Sequence, residues 1–341
     1  MTVEYVTREA AEPFVAVREP RPGDDVSRAT EPPRRSADYG PLAHLVVDPR
    51  VTDVFVNGPG AVWVDRGSGL ERTADLDLDE AGLRSLAVRL IAAGGRHIDE
   101  ASPCVDTRLT DGARIHAVLP PIATSGTLLS LRLPRRTPLS LSDLEAAGFF
   151  ESVPLAEVEA LVARRANILI TGAGGSGKTT LLGAVLGAAS PTERIIAIED
   201  VAELRVRHPH FVSLEARQAN LEGAGGVGLA RLVREALRMR PDRLVLGECR
   251  GEEIRELLGA LNTGHDGGAG TVHANSLDDV PARLEALGAL AGMTPAAVAR
   301  QVVSAIGAVL HVERVHGVRR LAQVGSLVLD SSGRLTASGS L

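Results

Sequence analysis

The stretch Gly172–Thr179, "GAGGSGKT", matches the phosphate-loop pattern GxxxxGK[ST] at every position. Gly172, Gly174, Gly175 and Gly177 let backbone N–H groups turn inward around phosphate oxygens, with Ser176 among them. The loop opens a helix, whose N-terminal end favours negative charge. Lys178 would reach the β- and γ-phosphates, Thr179 would coordinate Mg2+, and Thr180 extends the binding stretch. Of the 37 lysines and arginines in the chain, Lys178 is the only lysine. A wide, planar guanidinium does not fit inside such a loop, whereas a compact ammonium does. In a chain that uses arginine everywhere else, a lysine kept here points to chemistry that demands it. The implied ligand is ATP with Mg2+.

Two acidic stretches can complete a phosphoryl-transfer site. In "RPDRLVLGECRG" the apolar run Leu244–Leu246 leads into Gly247 and Glu248, an acid at the C-terminal end of a strand. Glu248 would hold Mg2+ through water or help position the attacking water. In "RIIAIEDVAEL" a second run ends in Glu199 and Asp200, and Glu203 follows as either a site residue or the start of a helix. His265 and His273 lie eight residues apart in the glycine-rich "NTGHDGGAGTVHANS". No cysteine or third histidine stands near them to complete a metal site, so a phosphate-sensing or structural role is expected. Arg108, Arg114, Arg132, Arg135 and Arg136 precede the loop. Arg114 and Arg132 stand out because each sits inside an apparent strand that would fix its direction.

These residues need elements to hold them. "NILI" before the loop reads as a strand and "KTTLLGAVLGAA" after it as a helix. The short apolar runs "NILITG", "RIIAIED", "RLVLGE" and "GTVHA" alternate with helical stretches, the pattern of an α/β domain with a mostly parallel sheet, placed at 151–341. Ahead of it, "VTDVFVNGPGAVWVDRGSGLER" turns at glycines and suggests short antiparallel strands. "LDEAGLRSLAVRLIAAGG" has helical spacing, and "GARIHAVLPP" and "TLLSLRLPRR" read as two further strands. These make a smaller α+β domain over 38–136. Residues 137–150 read as a linker with a short helix capped by Ser140 or Ser142. Residues 1–37, rich in proline and charge, read as a disordered arm.

Composition bounds the function. With 341 residues and 44% hydrophobic content, the chain can fill two cores, but only 2% is aromatic, so those cores are mainly aliphatic. A net charge of −6 argues against a dedicated nucleic-acid binder, though not against a local basic patch. Two cysteines, Cys104 and Cys249, give no disulfide framework or zinc spacing and fit a reducing compartment. No signal peptide is read at the charged N-terminus, and no run of ~18 apolar residues reads as a membrane span.

The ordered stretches "IAIEDVAEL", "LVREALRMRPDRLVLGECRGEE" and "LNTGHDGGAGTVHANS" after the phosphate loop resemble the secretion (traffic) ATPases of type II secretion, type IV pili and type IV secretion. The resemblance covers roughly residues 40–325. "EARQANLEG" and the tail "RLEALGALAGM" to "RQVVSAIGAVLHVER" look most like the tight-adherence (Flp) pilus branch. The resemblance implies a RecA-like P-loop domain behind a PAS-like N-terminal domain. It also implies ATP hydrolysis by a homo-oligomeric, hexameric motor for pilus assembly or protein secretion. Glu199 and Glu248 would be its catalytic acids, His265 and His273 its histidine-box residues, and Arg114 and Arg132 its arginine fingers. Whether Arg108, Arg135 or Arg136 also act is left open. The implied partner is an inner-membrane platform protein, with the motor cytoplasmic at the inner face of the cell membrane and held there through partners. No direct nucleic-acid contact and no zinc are expected, since the four-cysteine insert of some members is missing. "LEGAGGVGLARLV" is more glycine-rich than the corresponding loop of the family. Type IV secretion or conjugal transfer is the alternative task, and a nucleotide-binding scaffold without turnover or a nucleic-acid translocase are the other readings.

Overall fold

The computed structural model describes residues 36–339, except 68, 74–78, 134–137 and 218–224. The arm expected over 1–37 lies outside the described residues but for its last two. Arg135 and Arg136, and part of the glycine-rich loop, also lie outside them.

A 3-10 helix, Ser36–Leu42, leads into α1 (Ala43–Val47). Six strands then form an antiparallel sheet: β1 (Asp53–Asn57), β2 (Val62–Asp65), β3 (Leu70–Arg72), β4 (Cys104–Arg108), β5 (Arg114–Val118) and β6 (Leu128–Arg132), in the order β3-β2-β1-β6-β5-β4. Buried and half-buried residues alternate along β1, β2, β5 and β6, as expected of a sheet with one face on a core. Val54, Val56, Ile115, Ala117, Leu129 and Leu131 point to that core and meet Leu83, Leu86, Leu90 and Ile91 of α2 (Glu80–Ala93). The Asp79 side chain caps α2 by accepting from Gly82 N at 2.8 Å. Because side chains alternate, the opposite face of the sheet carries Asp53, Arg108, Arg114 and Arg132.

The short α3 (Leu141–Ala146) follows, capped by Ser140 in a reciprocal arrangement with Asp143. Ser140, not Ser142, is therefore the cap. The second sheet has eight strands in the order β14-β13-β12-β7-β11-β10-β8-β9. These are β7 (Ile168–Gly172), β8 (Ile195–Glu199), β9 (Phe211–Glu215), β10 (Arg243–Leu246), β11 (Ala269–His273), β12 (Ala308–Val315), β13 (Val318–Leu329) and β14 (Leu335–Gly339). The strands from β12 to β9 run parallel, and β13 and β14 add an antiparallel edge. β7, β8 and β10 are buried at every residue, since helices cover both faces. One apolar cluster includes α4 (Leu155–Ala163) and α5 (Lys178–Gly187). The other includes α6 (Leu229–Leu237), α7 (Glu253–Leu261), α8 (Val280–Leu290) and α9 (Pro295–Ala305). Among the described residues, no single helix is long and apolar enough to cross a membrane.

Candidate nucleotide site

Parallel strands send all their C-terminal ends to one edge of the sheet, where α/β proteins bind ligands. β7, β11, β10 and β8 are consecutive neighbours, so Gly172, His273, the turn carrying Glu248, and Glu199 emerge side by side. The phosphate loop joins β7 to α5, as the sequence leads one to expect. A Cβ on Gly172 would collide with the Val312 carbonyl on β12, so glycine is required for this strand to pass its neighbour.

A cleft of about 910 Å3 opens over this edge. Gly174, Gly175, Gly177, Lys178, Thr179 and Thr180 border it from the loop side, and Glu248, Arg250, Thr271 and His273 from the strand ends. Arg108, Arg114 and Arg132 border it from the six-stranded sheet. Gly172 and Ser176 are not on its wall, and the Ser176 side chain is buried beneath the loop.

Lys178 is 7% exposed, and burial pushes its pKa down against the pull of Glu248. Its Nζ donates to the Gly172 and Ala173 carbonyls at 3.0 and 2.9 Å and lies 3.4 Å from His273 Nδ1. An ammonium has no acceptor, so His273 faces it with a lone pair, and the ring proton sits on Nε2. That nitrogen stands 2.8 Å from Glu248 Oε1 and donates to it. Arg250 donates to the other oxygen, Oε2, at 2.7 Å. Burial opposes ionisation of Glu248, but the Arg250 hydrogen bond and the charges of Arg250 and Lys178 outweigh it. The carboxyl is held below its ordinary value. Burial and the neighbouring Lys178 charge hold His273 low as well, against the pull of Glu248.

Glu199 sits behind this wall rather than on it. It is 4% exposed, and its Oε1 accepts from the backbone N–H groups of Glu203 and Leu204 at 3.0 and 2.9 Å. Burial raises its pKa. Its side chain lies across Gly247, where a Cβ would come within 2.5 Å of Glu199 Cγ. The loop anchored by Glu199 carries Glu203, which does border the cleft and pairs with Arg114. Arg108, Arg114, Arg132 and Asp53 follow one another across β4, β5, β6 and β1 in register. Arg108 pairs with Glu215 of β9 at 3.0 Å, and Arg132 with Asp53 at 3.3 Å. Both of these carboxylates, like Glu203, hold a guanidinium at the cleft.

The two histidines part company. His273 stands in the site, whereas His265 lies off the cleft wall, with its Nδ1 donating to the Ala260 carbonyl at the end of α7, 3.1 Å away. Sequence reasoning missed Arg250 and Thr271. Arg250 follows Glu248 by two positions, which was signal enough. Thr271 lies in β11 two residues before His273, and its buried hydroxyl donates to the Gly247 carbonyl at 2.7 Å, fixing the turn before Glu248. Thr179 and Glu248 offer a hydroxyl and a carboxylate to one cleft. Hard oxygen donors of this kind, with phosphate oxygens and water, suit Mg2+.

The family model for type II/IV secretion system proteins matches residues 35–316. The chain belongs to this family. A putative conjugal transfer protein of Mycobacterium tuberculosis is 51% identical to it over 305 residues, covering 87% of this chain and 86% of the relative. The type IV secretion system protein VirB11 of Brucella suis is 34% identical over 263 residues, covering 70% of this chain and 73% of VirB11. Among solved structures, the pilus retraction motor PilT with bound ADP superposes with a TM-score of 0.57 at 20% identity, covering 87% of this chain and 80% of PilT. At that identity the likeness shows the fold. The fold of this secretion-family chain is a RecA-like P-loop part behind a smaller α+β N-terminal part.

Proposed function

We propose that the protein is an ATP-hydrolysing, hexameric motor of a secretion or pilus machine. The observation that carries the reading is the single cleft bordered by Lys178, Thr179, Glu248 and His273 on one side and by Arg114 and Arg132 on the other. The loop N–H groups and Lys178 bind the phosphates, and Thr179 and Glu248 hold Mg2+, which supplies charge neutralisation at the transferring phosphoryl group. Glu248, held ionised by Arg250, orients the attacking water. His273 keeps that carboxylate and Lys178 at fixed separation. Glu199 acts from behind the cleft as a positioning residue, by anchoring the backbone that carries Glu203. Arg114 and Arg132 leave Glu203 and Asp53 for the γ-phosphate as charge develops there. Residues 38–136 act as a domain that clamps nucleotide on 151–341 about the linker 137–150, and the motion passes to an inner-membrane platform protein. The motor works in the cytoplasm against the inner face of the membrane.

The task is conjugal transfer or another type IV secretion process, favoured by the name of the M. tuberculosis relative. Tight-adherence (Flp) pilus assembly is the second reading, favoured by the wording of 215–223 and 283–314. The test is phosphate release from Mg–ATP by the purified protein, with its mass measured in solution with and without nucleotide. Glu248→Gln should bind ATP yet turn it over roughly 10²–10⁴-fold more slowly, since the shape stays and the charge goes. Loss of binding with unchanged turnover per bound ATP would remove Glu248 from the mechanism.

A further inference from the structure

The phosphate loop is held by a neighbouring strand as well as from within. Within, Lys178 bonds the Gly172 and Ala173 carbonyls. From beside it, Arg319 of β13, itself on the cleft wall, donates from Nε to the Gly175 carbonyl at 3.0 Å. Two further observations fix Arg319 in place. The stem of its side chain lies against Gly177, where a Cβ would be 3.3 Å from Arg319 Cδ. Its strand is registered to the loop, because β13 pairs with β12, β12 pairs with β7, and the Leu321 N–H donates to the Phe149 carbonyl at 2.8 Å.

The backbone explains why such a hold matters. Gly175 and Gly177 have φ of +70° and +108°, conformations with several alternatives for glycine. In a trans peptide the C=O and the following N–H point in opposite directions. A carbonyl fastened outward at Gly175 therefore fixes the Gly175–Ser176 peptide plane. An unfastened plane can rotate its carbonyl into the concavity, where its partial negative charge repels phosphate. When Lys178 turns from the loop carbonyls to a phosphate, the Arg319 bond is a tie from β13 that holds this plane.

We infer that Arg319 is a positioning residue for nucleotide binding, acting within its own chain by holding the Gly175 carbonyl out of the phosphate site. The inference rests on the nucleotide-binding reading. It separates Arg319 from Arg114 and Arg132, whose proposed role falls in the transition state. Losing one charge-assisted hydrogen bond that preorganises the loop should weaken ADP and Mg–ATP alike by about ten-fold. The rate at saturating ATP should stay within about three-fold, because the tie bears on ground state and transition state equally. Lysine can still donate one bond to a carbonyl, so Arg319→Lys should recover most of the affinity.

The experiment measures ADP and Mg–ATP affinity by calorimetry, and KM and kcat by phosphate release. The proteins are the wild type, Arg319→Ala, Arg319→Lys and Arg320→Ala. Arg320 is its neighbour on the hairpin, pairs with Glu313 at 3.4 Å, and controls for loss of charge. Thermal unfolding of each variant identifies any that fails to fold, and Arg319→Lys then carries the test. Weaker ADP and ATP binding in Arg319→Ala, recovery in Arg319→Lys and no change in Arg320→Ala support the inference. Unchanged affinity in a folded Arg319→Ala overturns it, as does a fall in kcat with affinity intact, or an equal loss in Arg320→Ala. A wild type that binds no nucleotide would instead overturn the functional reading.

Discussion

Lys178 sets the character of the site. A buried ammonium with two carbonyl partners is compact enough to stay inside the loop, and a guanidinium is not. Lys178→Arg, conservative in charge, should therefore lose about 10²–10³-fold or more in turnover, close to the loss for Lys178→Ala. Phosphate release under saturating Mg–ATP measures this, and wild-type turnover in Lys178→Arg would remove the geometric argument. His273 in the site and His311, buried on β12 with its Nδ1 2.9 Å from Thr171 Oγ1, give the protein a pH dependence. Both are held below the ordinary 6.5 chiefly by burial, so the folded state binds fewer protons than the unfolded state just beneath that value. Stability from these groups is complete above 6.5 and is lost as pH falls below it. The urea midpoint should drop on acidification from about pH 7 to 5.5, and His273→Gln should flatten part of the drop. A slope of the opposite sign would mean that His273 is charged in the folded protein.

At the scale of elements, the site depends on strands passing closely. Gly172 ends β7 against the Val312 carbonyl, so Gly172→Ala forces β7 and β12 apart. Because β12 carries the hairpin whose next strand holds Arg319, the damage reaches the loop from both sides. A loss of about 3 kcal/mol or more is expected in denaturant unfolding, with weaker nucleotide binding in whatever remains folded. A variant as stable as wild type would show that the strands have room to yield. What was legible in the sequence follows from the same geometry. β7, α5, β8, β10 and β11 announce themselves because a strand buried on both faces must be an unbroken apolar run, and a phosphate loop is complete within eight positions. β4, "CVDTR", has one buried side chain and no apolar alternation to betray it. β9 is an edge strand, buried at none of its residues. Glu199 reads as a site acid at the end of its strand, but which way its carboxylate turns depends on the backbone at 203–204, and no spacing rule encodes that. Arg319 lies more than 140 positions from the loop carbonyl it holds. In a chain full of arginines, only the pairing of β12 with β7 singles it out.

At the scale of the whole molecule, the cleft is bordered by two sheets with separate cores, so its two halves can belong to different work. If the arginine row of one subunit serves the loop of the next, turnover requires assembly. Arg114→Ala and Arg132→Ala should each cost about 10³–10⁵-fold in rate. Mixing inactive Arg132→Ala with inactive Lys178→Ala subunits should restore part of the activity, because some interfaces then join an intact arginine row to an intact loop. Each variant inactive alone, with no rescue on mixing, would confine the arginines to their own chain. The solitary lysine has a consequence beyond phosphate chemistry. With one ε-amine in 341 residues, reagents directed at lysine have a single side-chain target, and it lies in the cleft. Any covalent mark that a cell or a chemist writes on lysine in this protein is therefore written inside the cleft, and on the proposed function it would compete with nucleotide for the same nitrogen.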